Sequence, residues 1–141
     1  MASTSGTDSD FVVKLIDVLP DDTQPYDPAA AKLGDYPRQL NGYQLPIAME
    51  VRRGRFLASD TDPQPLVPDK VTAWEIGLRE HDHVFKAGHR IMVQVQSSWF
   101  PVIDRNPQRF VPNIAKASPA DFVTATQRVC AGSRITLPVM R

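Results

Sequence analysis

The fold turns on one stretch, GHRIMVQVQSSWFPVIDRNPQ, residues 88–108. It opens in a turn, because Gly88 takes positive φ without steric strain. Residues 90–98 then alternate. Ile91, Val93 and Val95 share one face, and Gln94 and Gln96 share the other with Met92. A period of two predicts a strand whose isoleucine–valine side faces a core. Trp99 and Phe100 come next and predict an aromatic anchor, buried just before a corner. Asp104, Arg105 and Asn106 can be read as an acid, a cation and an amide converging on a substrate. No nucleophile or base accompanies them, and Pro107 fixes the following φ. A polar Asp-Arg-Asn-Pro segment after a strand predicts a hydrogen-bonded corner, with Arg105 available to pair with a carboxylate on a neighbouring surface. The stretch therefore reads as a corner and an interface.

Working outward, FVVKLIDV (residues 11–18) is apolar on both faces, which suits a strand inside a sandwich. Residues 20–42 are rich in Pro and Asp and read as a long connection, with one helical turn expected at residues 29–33. Residues 47–59 read as a second strand, interrupted by Gly54 at a bulge or bend. In residues 70–85, Thr72, Trp74, Ile76 and Leu78 share one face, which places Trp74 toward a core. SPADFV opens like a short helix, with Ser118 as its N-cap and Pro119 in the first helical position. RITLPVM (residues 134–140) reads as the last strand.

The chain has 141 residues, enough for one domain with a single core. Thirteen prolines against seven glycines punctuate short extended segments and argue against long helices. Sixteen basic and sixteen acidic residues cancel, so no electrostatic footprint for nucleic acid or an anionic membrane exists. The apolar runs are too short to span a bilayer. No N-terminal stretch has the order of a signal peptide, and location stays open. Cys130 is the one cysteine; it reads as a small buried hydrophobe.

Strong catalytic motifs are absent. There is no Gly-x-Ser-x-Gly elbow, no Gly-rich phosphate loop and no paired-cysteine zinc pattern, so no catalytic residue, metal or cofactor is expected. The nearest metal pattern is EHDH (residues 80–83), where His81 and His83 would share a strand face and His89 follows after a turn. It lacks a fourth group and reads better as a polar strand end. Asp8 and Asp10, like Asp21 and Asp22, have oxygens that suit calcium. Beside Gly6 and Pro20 they read instead as turn formers bonding nearby amides.

GTDSDFVVKLIDVLPDD, GYQL, VRRGRF, FKAGHRIMVQVQSSWFPVIDRNPQ, ATQRV and ITLPV stand in that order. Together they resemble, over residues 3–139, a C-terminal domain of serine hydrolases. The group comprises Xaa-Pro dipeptidyl-peptidases, cocaine esterases, α-amino-acid ester hydrolases and glutaryl 7-aminocephalosporanic acid acylase-like proteins. The resemblance implies an all-β, jelly-roll β-sandwich similar to galactose-binding-like domains, with long crossover loops and one or two short helices. It also implies an α/β-hydrolase domain as partner, which carries the triad, so no catalytic position transfers to this chain.

Residues 1–141 then read as the later part of that domain, with its opening strands missing. The missing strands imply an open sheet edge and self-association as a symmetric dimer. CAGSRITLP is shorter than the matching hairpin of the group, and Arg134 stands where a histidine is frequent. An alternative of another class is a free-standing carbohydrate-binding or adhesion module. Trp99, Phe100, Asp104, Arg105, Asn106, Asp8 and Asp10 are the structural and interface candidates.

Overall fold

A computed structural model describes residues 1–21 and 41–140. The helical turn expected at residues 29–33, and Asp22, lie outside the described residues. Five strands are present: β1 (Ala2–Thr4), β2 (Asp10–Val18), β3 (Gln44–Arg53), β4 (Arg90–Gln96) and β5 (Gln127–Val129). Three single 3-10 turns, Gly54–Phe56, Ile114–Lys116 and Pro119–Asp121, are the helical elements among the described residues. The class is all-β, as the proline punctuation predicts.

One sheet has the order β3-β2-β4. Its central strand is the one whose sequence is apolar on both sides: Phe11, Val12, Leu15, Ile16 and Val18 are all buried. A central strand has neighbours along both edges and layers over both faces, so it tolerates little polarity. β3 holds Pro46, which has no amide to donate, and it sits at the sheet's edge, where proline is allowed. The second sheet pairs β1 with β5 antiparallel, setting Ala2 opposite Val129 and Thr4 opposite Gln127.

The chain divides into two compact units, and three strands contribute residues to both. The first comprises Met1–Val12, Glu50–Gly77 and Val95–Arg141. Its core holds Ala2, Phe11, Val12, Val111 and Ile114, and Phe11 meets Trp74 edge-on with ring centroids 4.6 Å apart. Gly54 ends β3 there because nothing larger fits. A Cβ at Gly54 would lie 2.6 Å from Leu66 Cδ1 and 2.7 Å from the Ser9 carbonyl oxygen. The second unit comprises Val13–Met49 and Leu78–Gln94, with Leu15, Ile16, Val18 and Ala48 buried.

Several expectations need correction. Ile91, Val93 and Val95 do alternate along β4, but they are 55%, 42% and 39% exposed rather than facing a core. Periodicity marks an apolar side; it does not supply the layer that covers it. Phe100 is 65% exposed and does not anchor the corner, while Trp99 is half-buried. Residues 134–140 form no strand among the described residues. Residues 70–85 pair with a strand only through a bridge between Thr72 and Ala2. Their predicted side-chain alternation is nevertheless present: Thr72, Trp74, Ile76 and Leu78 are half-buried, and Val71, Ala73, Glu75 and Gly77 are exposed. The helix expected at Ser118 is a single 3-10 turn, in which the Ser118 amide and hydroxyl both donate to Asp121 Oδ2 at 2.8 Å.

These burials separate two phenylalanines cleanly. Phe11→Ala should lower the unfolding free energy by about 3–5 kcal/mol, as truncation of a fully buried ring does. Phe100→Ala should cost less than about 1 kcal/mol, as exposed substitutions do. Urea denaturation of the two variants checks both values.

Candidate functional site

The corner after β4 is built on the start of β2. Asn106 is buried, and its Nδ2 donates to Asp10 Oδ1 at 3.0 Å. Its Oδ1 accepts from the Gln108 amide at 2.9 Å, closing a turn across Pro107. That turn holds Gln108 at φ 63° and aims its carbonyl at the Thr7 and Asp8 amides, 3.1 and 3.4 Å away. Gly6 has to be a glycine, because a Cβ there would collide with the same carbonyl. Thr7 Oγ1 accepts from the Phe110 amide at 2.8 Å. The polar cluster therefore ties residues 104–110 to residues 6–10.

Beside it lies a charge pair away from water. Asp8 is 0% exposed, and Arg55 is 5% exposed. Arg55 Nε donates to Asp8 Oδ2 at 2.9 Å, and the Ser9 amide donates to Asp8 Oδ1 at 2.9 Å. Arg55 also donates through Nη2 to the Val111 carbonyl, and its guanidinium lies 4.8 Å from the Phe110 ring centroid. Asp8 thus does bond its neighbour's amide, as a turn former would, but its main partner is an arginine 47 residues away. Asp10 lies in β2 rather than in a turn, with Arg53 Nε 3.7 Å from its Oδ2. Burial pushes the Asp10 carboxyl up to about 6; Arg53 and the Asn106 hydrogen bond only partly offset it, and Asp8 adds to it.

In the second unit Asp17 is 2% exposed and takes two imidazoles. Oδ2 bonds His83 Nε2 at 2.9 Å, and Oδ1 bonds His89 Nδ1 at 2.9 Å. Burial opposes the charge on Asp17, but the hydrogen bonds and charges of His83 and His89 outweigh it and hold the carboxyl below its ordinary value. His83 and His89 therefore converge on a carboxylate, and His81 does not join them. Among the described residues no group of three His, Cys, Asp or Glu side chains is arranged to hold a metal ion.

Of the remaining candidates, Asp104 is exposed, and its carbonyl accepts from Arg53 Nη2 at 3.3 Å. Arg105 is exposed and lies 6.0 Å from the Phe100 ring centroid. An open cleft of about 620 Å³ is lined by Ser97, Ser98, Arg105, Gln108 and Phe122, among others. No hydrogen bond among the described residues joins a serine, threonine or cysteine to a histidine. Cys130 is half-buried. Arg55 and Asp17 escaped the sequence reading. Each carries one signal in retrospect: an acid inside the apolar run LIDV, and an arginine directly after the glycine of RRGRF.

Turn-forming amides, a buried ion pair and a histidine-clamped carboxylate make the chemistry of a structural frame on an all-β body. A comparison with known families gives that body its place. The C-terminal non-catalytic domain of X-Pro dipeptidyl-peptidases matches residues 1–135, and the chain belongs to this family. The cocaine esterase of Rhodococcus sp. (strain MB1 Bresler) is 30% identical over 143 residues, spanning 99% of this chain and 21% of that protein. Two solved structures are similar. An aminopeptidase from a marine sediment Thaumarchaeota archaeon is 51% identical, with a TM-score of 0.77 over 89% of this chain. An alpha-amino acid ester hydrolase is 47% identical, with a TM-score of 0.80 over 92% of this chain. The chain spans about a fifth of the length of each of these relatives.

Two tests follow from the buried charges. Arg55→Met leaves Asp8 without its cation and should cost about 3–5 kcal/mol, as breaking a buried pair does. Asp8→Asn combined with Arg55→Met should recover part of that loss in a double-mutant cycle read by urea unfolding. The second test is pH dependence. Because the Asp10 carboxyl is raised in the folded chain, its contribution to stability is complete below its ordinary value of 3.8 and fades as pH rises through about 6. Asp17 acts in the opposite sense: its contribution is present above 3.8 and is lost as pH falls below that value. Asp10→Asn should therefore flatten the decline in unfolding free energy between pH 4 and 7, by on the order of 2–3 kcal/mol.

Proposed function

We propose that the chain is a non-catalytic accessory β-domain that braces the α/β-hydrolase body of a larger serine hydrolase and shapes the rim of its active site. The observation that carries this reading is the family match over residues 1–135, together with a chain one fifth the length of its hydrolase relatives. On this reading residues 1–141 are the later part of a jelly-roll domain. The parent enzyme hydrolyses acyl-ester, aminoacyl-ester or peptide bonds, the chemistry that the relatives' names carry. The isolated chain should show no turnover of p-nitrophenyl or aminoacyl esters above buffer. Hydrolysis that a serine-directed inhibitor abolishes would overturn the reading. So would an intact relative whose thermal midpoint is unchanged when the segment matching this chain is deleted.

We infer too that the isolated chain self-associates. β4 lies at the edge of its sheet among the described residues, with Ile91, Val93 and Val95 exposed, and an apolar edge strand is a template for a second copy. Sedimentation equilibrium should show a concentration-dependent dimer, and Val93→Lys should shift it toward monomer. A single monomeric species for the unsubstituted chain, at all concentrations, would refute the inference.

A further inference from the structure

Residues 71–77, within the first unit, have the form of a strand without a strand's partner. Their side chains alternate between half-buried (Thr72, Trp74, Ile76) and exposed (Val71, Ala73, Glu75, Gly77), as in a strand laid over one layer. The backbone is tied to β1 only at Thr72, whose amide and carbonyl bond Ala2 at 2.9 and 3.0 Å. Among the described residues, 73–77 make no backbone–backbone hydrogen bond. Trp74 completes the pattern. Its ring packs on Phe11, yet its indole N–H is shut away from water with no acceptor. A buried donor of that kind costs free energy until an acceptor arrives. The exposed side leaves room for a close approach: Ala73 is small, and a Cβ at Gly77 would meet nothing within 4 Å.

We propose that residues 71–77 are a receiving edge for an extended strand of polypeptide, supplied by the remainder of the larger hydrolase chain. This rests on the reading of the chain as one domain of a longer enzyme. The occupant is an extended backbone because what the edge lacks is backbone partners. A strand beside residues 73–77 offers carbonyls and amides at the usual inter-strand spacing, about 4.8 Å. It also brings carbonyl oxygens toward the Trp74 indole. The relatives that contain this domain have about four fifths of their chain outside it, so such a strand is at hand.

Amide hydrogen exchange tests the proposal on intact proteins. In a dilute solution of the 141-residue chain, the amides of Ala73–Gly77 should exchange within about tenfold of unstructured rates, while those of the β2 core are strongly protected. In the intact archaeal aminopeptidase, the matching segment should exchange at least about 100-fold more slowly. Fast exchange in both proteins overturns the inference, because no strand is then added. Slow exchange in both also overturns it, because the edge is then closed within this chain. Either result leaves the accessory-domain reading to the deletion test above. Ala73→Pro gives a second measurement on the chain itself. Proline removes an amide that has no partner here, so the folding constant should change by less than about tenfold; a larger loss means that the edge is already paired.

Discussion

A carboxylate with no access to water constrains everything around it. Asp8 is sealed in at the turn before β2, and an unpaired charge there would unfold the chain. Its partner, Arg55, has to arrive from 47 residues away at a fixed height and angle. That requirement explains the residue before it. Gly54 lies flush against the Ser9 carbonyl, its amide donating there at 2.7 Å, and the arginine starts from that contact. The same guanidinium then reaches the Val111 carbonyl and covers the Phe110 ring. One ion pair thus aligns the end of β3, the start of β2 and the segment after the corner.

Three buried aspartates in and next to one strand are handled in three ways. Asp8 has a dedicated cation and a backbone amide. Asp17 has two imidazoles and keeps its charge readily. Asp10 has an amide and a more distant arginine, and burial prevails over both. The outcome follows how closely donors approach each oxygen, not the residue type. Hydrogen bonds at 2.9 Å to an imidazole or guanidinium offset desolvation, whereas an arginine at 3.7 Å does so only in part. Asp10 in turn positions Asn106, so the corner that looks like a catalytic cluster is a means of docking one loop on another.

The other constraint is incompleteness. β4 presents an apolar side to solvent, and residues 71–77 present an unpaired backbone, in a domain whose relatives are about five times longer. A β-fold assembled from distant parts of a chain has its edges covered by whichever segments come last to hand. Within a domain of this family, exposed edges and apolar strand faces are therefore expected where other polypeptide belongs.

Much of the architecture was legible locally. The doubly apolar run of β2, the alternation of β4 and of residues 71–77, the turn at Gly88 and the corner at Asn106-Pro107 all follow from period, proline and Asx chemistry, which act over a few residues. The long ordered blocks also carried the family. What covers each face was not legible. Ile91, Val93 and Val95 look like core residues but meet solvent, Phe100 looks like an anchor but is exposed, and residues 134–140 alternate without pairing. Nor could the sequence say that Asp8 belongs to Arg55, or that Asp17 belongs to His83 and His89, 66 and 72 residues along the chain. Local patterns set the backbone's preferred conformation and which side is apolar, because those are properties of adjacent residues. Burial and charge pairing depend on which distant segments arrive at a given point in space, and that was decided by the tertiary structure alone.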